Sequence, residues 1–318
     1  MKPYRAPSWL PGGHAQTLWP LLIKPQPIKL RRERRTTPDG DFIDVDHLDG
    51  PPEGPLLVLF HGLEGSARSH YAISTALACK KAGWRLALPH FRGCSGELNR
   101  RPRAYHSGDS DEINWILQRL HVVNGGRPLH AAGVSLGGNA LLKWAGERGT
   151  SAGELVTGVA ALCAPLDLAA CGHHLARGFN RIYTRHFLAT LKAISARRLE
   201  HFPGLFDEAR MRRAINLHEF DDVVTAPIHG FAGADDYWRR ASAKPWLKSI
   251  AVPALAVNPR NDPFLPSRHL PSGADVSPFV RLEQPESGGH VGFVTGAFPG
   301  NLDWLAQRLL HFFLFETS

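Results

Sequence analysis

Hydrophobic and polar positions follow two alternating patterns along this chain. Short continuous apolar runs, typical of strands buried on both faces of a sheet, are separated by stretches with apolar residues every three or four positions, which is helical spacing. This alternation predicts an α/β fold with a mostly parallel central sheet covered by helices on both faces. The predicted strands are 56–60, 84–91, 128–134, 156–165, 250–258 and 279–286, and the predicted helices are 70–83, 111–123, 136–147 and 301–315.

The alternation is interrupted between the strands 156–165 and 250–258. Residues 167 to about 248 have a mostly helical, amphipathic pattern with no clear strand. Open α/β sheets bind ligands at the carboxyl ends of their strands, and an insertion between two strands is expected to cover that edge. The sequence therefore predicts a single domain over residues 1–318, with a helical lid at about 167–248.

Composition adds a basic charge to this picture. Of 318 residues, 43% are hydrophobic and 21% are charged, which is typical of a globular protein. The formal net charge is +8, but the densest basic run, 29–35, has the pattern of a strand on an exposed edge. We therefore expect no nucleic-acid partner. Weak contact with an anionic membrane surface is compatible with the excess charge, which solubility alone would explain equally well.

The cysteines and histidines indicate neither disulfides nor a metal site. The four cysteines form no CxxC pair, so we expect no disulfide framework and a cytoplasmic location. No HExxH motif occurs and the histidines lack ligand spacing, so we expect no metal and no cofactor. No run of eighteen apolar residues occurs, and no transmembrane helix is expected. The sequence does not indicate an oligomeric state.

The main candidate for chemistry is the stretch 133–137, GVSLG, which matches the motif G-x-S-x-G. A predicted strand precedes it and a predicted helix follows it, which is the context that the motif requires. The glycines permit a sharp turn, and the first N–H groups of the helix suit a developing oxyanion. The pattern predicts Ser135 as a catalytic nucleophile, with a glycine-rich turn carrying an incidental serine as the alternative.

A serine hydroxyl needs a base, and in this architecture an acid and then a histidine follow the serine, each just past a strand. Asp262 follows the strand 250–258, and His290 follows the strand 279–286 in a glycine-rich loop. Asp235 and Asp236 are alternative acids, but they lie in the helical insertion, where a solvated acidic pair is the ordinary explanation. The sequence therefore predicts Asp262 and His290 as the partners of Ser135.

An oxyanion hole in this kind of site uses two backbone N–H groups, one of which comes from the loop after the strand 56–60. That strand runs into His61-Gly62, so Leu63 is the candidate donor, paired with Leu136 behind the nucleophile. The alternative for the His-Gly pair is a simple tight turn.

A second serine lies between glycines at 93–96, GCSG. This stretch lacks the residue between serine and glycine that the motif has. No helix follows it directly, and Pro102 biases the residue before it away from helix. Ser95 and Cys94 are therefore not predicted as nucleophiles, and a buried, unreactive cysteine is the simpler interpretation.

The same loop is dense in polar side chains, among them Arg92, Asn99 and Arg100. They either form an internal hydrogen-bond network that braces the site or contact the substrate. The sequence favours the network without excluding contact.

Several segments, in order along nearly the whole chain, resemble the α/β-hydrolase superfamily, and more narrowly its YheT-like branch, which includes eukaryotic lipid esterases and yeast ethanol acyltransferases. The resemblance implies the α/β-hydrolase fold and a triad of Ser135, Asp262 and His290. The segments are WLPGGHAQTLWP (9–20), HGLEGSARSHY (61–71), FRGCSGELNR (91–100), YHSGDSDE (105–112), GVSLGGNALLKW (133–144), NDPFLP (261–266) and GGHVGF (288–293).

Two positions differ from the pattern of the family. His90-Phe91 stand where many members have an aspartate before Arg-Gly, and residues 12–17 read GGHAQT where an HGQ or HPQ variant is expected. Neither stretch contains a triad residue. We therefore expect both to affect substrate contacts and not the chemistry.

Together these features predict a serine esterase acting on a small-molecule ester. The stretch 177–194 mixes apolar and basic residues, which suggests an amphipathic helix over the site, although an ordinary helix packed on the core has the same pattern. With the resemblance, short- to medium-chain acyl esters or lipid-like esters are expected. An alcohol acyltransferase or a thioester or amide hydrolase would use the same residues, and a hydrolase fold can also serve a non-catalytic binding protein.

Overall fold

The computed structural model describes residues 1–23, 26, 28–127 and 129–317. Its strands are β1 (Arg31–Thr36), β2 (Phe42–Leu48), β3 (Leu56–Phe60), β4 (Arg85–Pro89), β5 (Leu129–Val134), β6 (Val156–Leu162), β7 (Ala254–Val257) and β8 (Val280–Glu283). They form one sheet in the order β1-β2-β4-β3-β5-β6-β7-β8. β2 pairs antiparallel with β1 and β4, and every other pairing is parallel.

The helices are α1 (Gly13–Leu18), α2 (His70–Lys81), α3 (Ser110–Val123), α4 (Leu136–Arg148), α5 (Leu168–Leu175), α6 (Arg181–His201), α7 (Glu208–Arg213), α8 (Leu217–Phe220), α9 (Ala226–His229), α10 (Ala234–Ala241) and α11 (Asp303–Phe315). α3 and α4 cover one face of this sheet and α2 and α11 cover the other, and further helices lie outside these two layers. Within the described ranges, none of the helices combines the length and apolarity needed to cross a membrane.

β3 shows why its sequence is continuously apolar. Val58 and Phe60 pack in the core that α3 and α4 cover, whereas Leu57 and Leu59 pack in the core that α2 and α11 cover. Since successive side chains of a strand point to opposite faces, a strand covered on both sides must be apolar throughout. The predicted fold class, a mostly parallel sheet with helices on both faces, is confirmed.

Boundaries differ from prediction at strand ends. β6 ends at Leu162, three residues before the predicted end, and Cys163 then has a φ of +52°. β8 ends at Glu283, short of the predicted 286. Pro128, where the strand 128–134 was predicted to begin, lies outside the described residues. The polar, glycine-rich or proline-containing residues that follow β6 and β8 are not paired in the sheet, and they form loops of the site.

β2 is a strand that the sequence analysis missed. Its carboxylates alternate with apolar residues, and Asp44 and Asp46 are nevertheless buried. They are buried because arginines of the edge strand β1 reach across: Arg34 bonds to Asp44 and Arg32 to Asp46, each at 2.7 Å. Burial of a carboxylate is tolerable when it is paired in this way.

Between β6 and β7 the chain forms only helices and turns within the described residues, from α5 to α10. Its long helix, α6, extends to His201, beyond the predicted amphipathic stretch 177–194, and is preceded by a 3₁₀ turn at Gly178–Asn180. This segment covers the carboxyl edge of the sheet, where the candidate site lies.

Candidate active site

Ser135 occupies the single residue between β5 and α4, with φ +51° and ψ −120°. This conformation is strained for a residue with a side chain. The turn depends on the two flanking glycines. A Cβ on Gly137 would lie 2.5 Å from the His61 carbonyl oxygen, and one on Gly133 would collide with the Gly137 carbonyl. The turn therefore holds Ser135 out at the wall of a cavity.

His290 joins Ser135 to Asp262. Its Nε2 lies 3.0 Å from Ser135 Oγ, and its Nδ1 lies 2.8 Å from Asp262 Oδ2. The other carboxylate oxygen, Asp262 Oδ1, accepts the Phe264 N–H at 2.8 Å, and the Phe264 ring stacks on the imidazole with centroids 3.8 Å apart. Asp262 follows β7 and His290 follows β8, so parallel strands bring both to the edge where β5 delivers Ser135. The arrangement can pass the serine proton to the imidazole and stabilise the resulting cation.

The alternative acids lie elsewhere. Asp235 is on the exposed side of α10, 3.0 Å from His218, and Asp236 pairs with Arg239 and Arg240 on the same helix. Neither carboxylate has a hydrogen bond or ion pair with His290 in the described part of the chain.

The loop 62–65, between β3 and α2, is held by two tyrosine hydroxyls. Tyr71 accepts the Gly62 N–H at 2.9 Å, and Tyr105 accepts the Glu64 N–H at 2.9 Å. Tyr105 belongs to the polar residues that mark the loop 90–106 in the sequence, whereas the role of Tyr71 was not predicted. Their place in the motif-bearing segments 61–71 and 105–112 was the available signal.

This loop leaves one N–H free. Gly65 donates to the Gly62 carbonyl at 2.9 Å, whereas Leu63 N–H has no acceptor among the described residues. The same holds for Leu136 N–H, the first of α4. Both residues line the cavity that contains Ser135. Two unpaired donors beside a nucleophile can stabilise an oxyanion.

The cavity in front of Ser135 encloses about 140 Å³. Most of the residues that line it come from the segment between β6 and β7, and most of those are apolar. They include Leu175, Phe187, Leu191, Ile194, Leu217 and Phe220. Such a wall favours a hydrocarbon chain over a polar group.

Arg92 lies in a network of acids. Its guanidinium bonds to Glu112 at 2.6 Å, to Asp39 at 2.8 Å and to Asp41 at 3.0 Å, and the side chain is buried. Arg92 also lines one end of the cavity. With three carboxylates around it, its charge is neutralised by the protein.

Asn99 and Arg100 complete this network. The Asn99 side chain accepts the Gly93 N–H at 2.6 Å and donates to Asp41 at 3.0 Å and to the Phe42 carbonyl at 2.8 Å. The Arg100 backbone N–H donates to Asp41 at 2.9 Å, and its exposed side chain lies over the Phe42 ring. In the described residues, their polar contacts are therefore made within the protein, which agrees with a bracing role.

Cys94 is only partly buried, and it is not activated. Its Sγ lies 4.0 Å from Glu64, and the pKa of the thiol is raised well above its ordinary value by burial and by the Glu64 carboxylate. The group stays protonated at neutral pH, as an unreactive cysteine should. The rival serine, Ser95, uses its carbonyl to bind Arg32, 2.8 Å away.

α1 supports the histidine loop, which the sequence analysis did not foresee. The His290 N–H donates to Thr17 Oγ1 at 2.8 Å, and Gln16 Oε1 accepts from Gly288 N–H at 2.8 Å and Asn261 Nδ2 at 2.9 Å. Residues 12–17 were expected to affect substrate contacts and not the chemistry, and these bonds place them against the loop of the proposed base as well. The signal available in the sequence was a polar Gln-Thr pair behind two glycines, in a segment where helix burial could not be foreseen.

Cys163, Asp262 and His290 bring donor atoms within 4.8 Å of one another, which is a spacing that a metal could use. Cys163 Sγ accepts the Val291 N–H at 3.2 Å, and burial raises the pKa of its thiol well above the ordinary value. A protonated thiol is a poor ligand, and the other two side chains are already bonded to each other. The donor set therefore suits a hydrogen-bonded triad better than a metal site.

Residues 55–297 match the family model described as the alpha/beta hydrolase fold. The chain is 40% identical over 303 residues to the putative esterase YheT of Escherichia coli, covering 93% of this chain and 88% of that protein. It is 29% identical over 320 residues to mouse phospholipase ABHD3, covering 97% of this chain and 77% of the relative.

A solved structure agrees on the fold. An esterase of Pyrococcus furiosus superposes with a TM-score of 0.57 at 15% identity, covering 90% of this chain and 91% of that one. The resemblance inferred from the sequence motifs is confirmed, and the chain belongs to the α/β-hydrolase family and, within it, to the YheT-like branch.

Proposed function

We propose that this protein is a serine hydrolase that cleaves carboxylic esters through an acyl-enzyme, with Ser135 as nucleophile, His290 as base and Asp262 as the acid that orients it. The observation that carries the proposal is the continuous chain of hydrogen bonds from Asp262 through His290 to Ser135, with the serine on a strained turn at a cavity. A relative named as an esterase and another named as a phospholipase support ester chemistry.

Acylation begins when Ser135 Oγ attacks the ester carbonyl carbon and His290 Nε2 takes the serine proton. The carbonyl oxygen becomes an oxyanion held by the Leu63 and Leu136 N–H groups, which is where this mechanism gains most of its transition-state stabilisation. Asp262 holds the imidazole so that Nε2 faces the serine, and it stabilises the imidazolium. The intermediate then releases the alcohol, which leaves with the proton from His290.

Deacylation repeats these steps with water. His290 takes a proton from the water as its oxygen attacks the acyl carbon, the same two N–H groups hold the oxyanion, and the acid leaves as Ser135 regains its proton. Apart from the ester and water, these transfers use only groups of the chain itself.

For the substrate, we propose short- to medium-chain acyl esters or lipid-like esters. The apolar wall contributed by α5 to α10 supports this class, because burial of each methylene contributes about 0.8 kcal/mol to binding. In this proposal residues 1–318 form one domain, and the segment from α5 to α10 is a lid that closes over the acyl chain.

We also propose weak contact of one face with an anionic membrane surface. Leu21 and Leu22, just after α1, are each 71% exposed, and Phe298, which packs against Trp19, is 69% exposed. The neighbouring helix α6 begins with the exposed Arg181. Exposed apolar side chains on a chain with a net positive charge suit the interface of an anionic membrane, and this face lies next to the loop that carries His290.

Active-site labelling tests the central proposal. The purified wild type is expected to react with a fluorophosphonate probe, and Ser135→Ala is expected to lose the label, whereas Ser95→Ala should label like wild type. Equal labelling of wild type and Ser135→Ala, or no labelling of either, would contradict the assignment.

An ester panel distinguishes hydrolysis from its alternatives. Ethyl esters graded by acyl-chain length are supplied with and without added alcohol. Release of free acid supports the hydrolase, and accumulation of an ester of the added alcohol marks an acyltransferase. If no ester of the panel is turned over, the binding-protein alternative remains.

Vesicle sedimentation tests the membrane contact. Wild type is expected to sediment with vesicles containing anionic phosphatidylglycerol and to be released by salt, while Leu21→Asp/Leu22→Asp should stay in the supernatant with ester hydrolysis intact. A matched pair on the exposed surface of α3, Val122→Asp/Val123→Asp, serves as control. Equal sedimentation of all three proteins would refute the contact.

A further inference from the structure

Arg198, on α6, is a buried cation with no hydrogen-bond or ion-pair partner in the part of the chain that the structure describes. Only 4% of its surface is exposed, and it lines the same cavity as Ser135. Among the described residues, its guanidinium makes neither a hydrogen bond nor an ion pair with any side chain or carbonyl. A buried charge is costly unless it is paired, so a lone guanidinium at a cavity wall calls for an explanation.

The other buried arginines show what is ordinary in this fold. Arg92 bonds to Glu112, Asp39 and Asp41, as described above. Arg308, on α11, bonds to Glu283 at 2.6 Å and to Glu316 at 3.0 Å. Both are neutralised by carboxylates, whereas Arg198 is not. Arg92 and Arg308 are therefore explained as structural residues, since each is paired with carboxylates of the protein. Arg198 has no such ion pair among the described residues.

The nearest acid, Glu64, does not fill this role. It lies outside ion-pairing distance of Arg198, and its carboxylate accepts the Tyr105 hydroxyl at 2.7 Å. Burial raises the pKa of the Glu64 carboxyl and lowers the pKa of the Arg198 guanidinium, and the attraction between the two charges offsets these shifts only in part.

A second free donor lies one helical turn away. Ser195 is buried, lines the same cavity, and its hydroxyl has no hydrogen-bond partner in the described chain. Residues three apart share a face of a helix, so the Ser195 hydroxyl and the Arg198 guanidinium are presented together. A guanidinium with an adjacent hydroxyl is a suitable pair of donors for a carboxylate or a phosphate.

We propose that Arg198 and Ser195 form an anion subsite of the active-site cavity, which binds a carboxylate or phosphate carried by the ester substrate. The inference rests on the proposed esterase function and narrows it from esters in general to esters that bear a negative charge. Arg198 lies over the loop 90–100, since a Cβ on Gly93 would be 3.6 Å from its Nη2. Leu63, Ser135 and the two subsite residues all line one cavity, so an ester that fills it can contact both the nucleophile and the subsite.

The test compares matched esters with and without the charge. Monoethyl adipate and ethyl hexanoate differ by a carboxylate at the end of the acyl chain. Hexanoyl-glycerol 3-phosphate and hexanoylglycerol differ by a phosphate on the alcohol side. Wild type is expected to show a higher kcat/KM for the charged member of at least one pair, and the pair that responds identifies the source of the anion.

Arg198→Gln is expected to lower the charged-to-neutral ratio of kcat/KM at least about tenfold, as for loss of a hydrogen bond to a charged group. Hydrolysis of the neutral ester should change little. Arg198→Lys should retain part of the ratio, and Arg197→Gln, an exposed neighbour on the same helix, should match wild type. Glu64→Gln should raise the ratio, because it removes the nearby negative charge.

An unchanged ratio in Arg198→Gln, or an equal fall for charged and neutral esters, would overturn the subsite. If Arg198→Gln does not fold, Arg198→Lys and Glu64→Gln decide, and unchanged ratios in both would overturn it. Wild type that cleaves neutral esters with no preference for charge refutes the subsite alone. Failure of Ser135 to label refutes the underlying function instead.

Discussion

At the scale of single residues, the site depends on how each polar atom is used. One carboxylate oxygen of Asp262 bonds to His290 and the other accepts the Phe264 backbone N–H, so the carboxylate is held on both sides. This two-sided anchoring is what a residue needs in order to hold an imidazole in one tautomer and one orientation. Asp235, with a single exposed histidine partner, has no such constraint.

Asp262→Asn is expected to reduce kcat by on the order of 10³–10⁴-fold, because the amide no longer favours the tautomer that accepts the serine proton. The measurement is steady-state hydrolysis of a short ethyl ester, with thermal unfolding to establish that the variant folds. Asp235→Asn is the matched control and should keep wild-type turnover. Equal losses in the two variants would show that the acid has been assigned to the wrong residue.

At the scale of elements, α1 acts as a brace on the loop after β8. It is only six residues long, so its own backbone contributes little stability, and its position follows from packing and side-chain hydrogen bonds. Thr17 Oγ1 donates to the Gly13 carbonyl at 2.7 Å and accepts from the His290 N–H. This bond fixes the backbone of the histidine, and so the direction of the ring.

Thr17→Val keeps the shape of the side chain and removes the acceptor. We expect kcat to fall about tenfold or more with KM nearly unchanged, because a small displacement of His290 affects proton transfer more than substrate binding. Thr17→Ser should restore kcat, which a purely steric role for the threonine would not explain. Thr190→Val, on the exposed side of α6, is the control, and a loss of similar size there would contradict the brace.

At the scale of the whole molecule, buried histidines make stability depend on pH. Burial lowers the pKa of His61 and His229 to about 3 and of His106 and His130 to about 4. In the unfolded chain each binds a proton near its ordinary pKa of about 6.5. Between these values the unfolded state holds more protons, so stability rises with pH and is lost as the pH falls from about 6.5 towards 4.

His130→Phe isolates one of these groups. The ring packs between Trp84 and Phe313, with centroids 4.9 Å from each, so phenylalanine suits the space. Urea unfolding of wild type should show a larger loss of stability from pH 7 to pH 5 than the variant does, by about 2 kcal/mol. The exposed His186→Gln is the control, and an equal loss in wild type and His130→Phe would exclude this contribution.

How much of the site could be predicted differs from part to part. Ser135, Asp262 and His290 could be predicted because Ser135 lies in a local motif and the other two follow predicted parallel strands. Both signals can be recognised in the sequence. The pairing of Arg92 with Asp39 and Asp41 could not be predicted, because it depends on how the hairpin of β1 and β2 lies against the loop 90–100. β2 itself was missed because its sequence contains Asp44 and Asp46, and two carboxylates do not indicate a buried strand.

The sequence by itself determined the class of fold, the succession of the parallel strands and their covering helices along the chain, and the family. Apolar periodicity and turn-forming glycines involve residues that are close together in the chain, so they can be recognised as patterns in the sequence. Only the tertiary structure decided which polar groups are satisfied. Gln16 and Thr17 meet the histidine loop about 270 residues further on, at separations of 272 and 273. Among the described residues, no carboxylate forms an ion pair with Arg198. Hydrogen bonds and ion pairs depend on distances of a few ångströms between segments remote in the chain, so folding in three dimensions decides them.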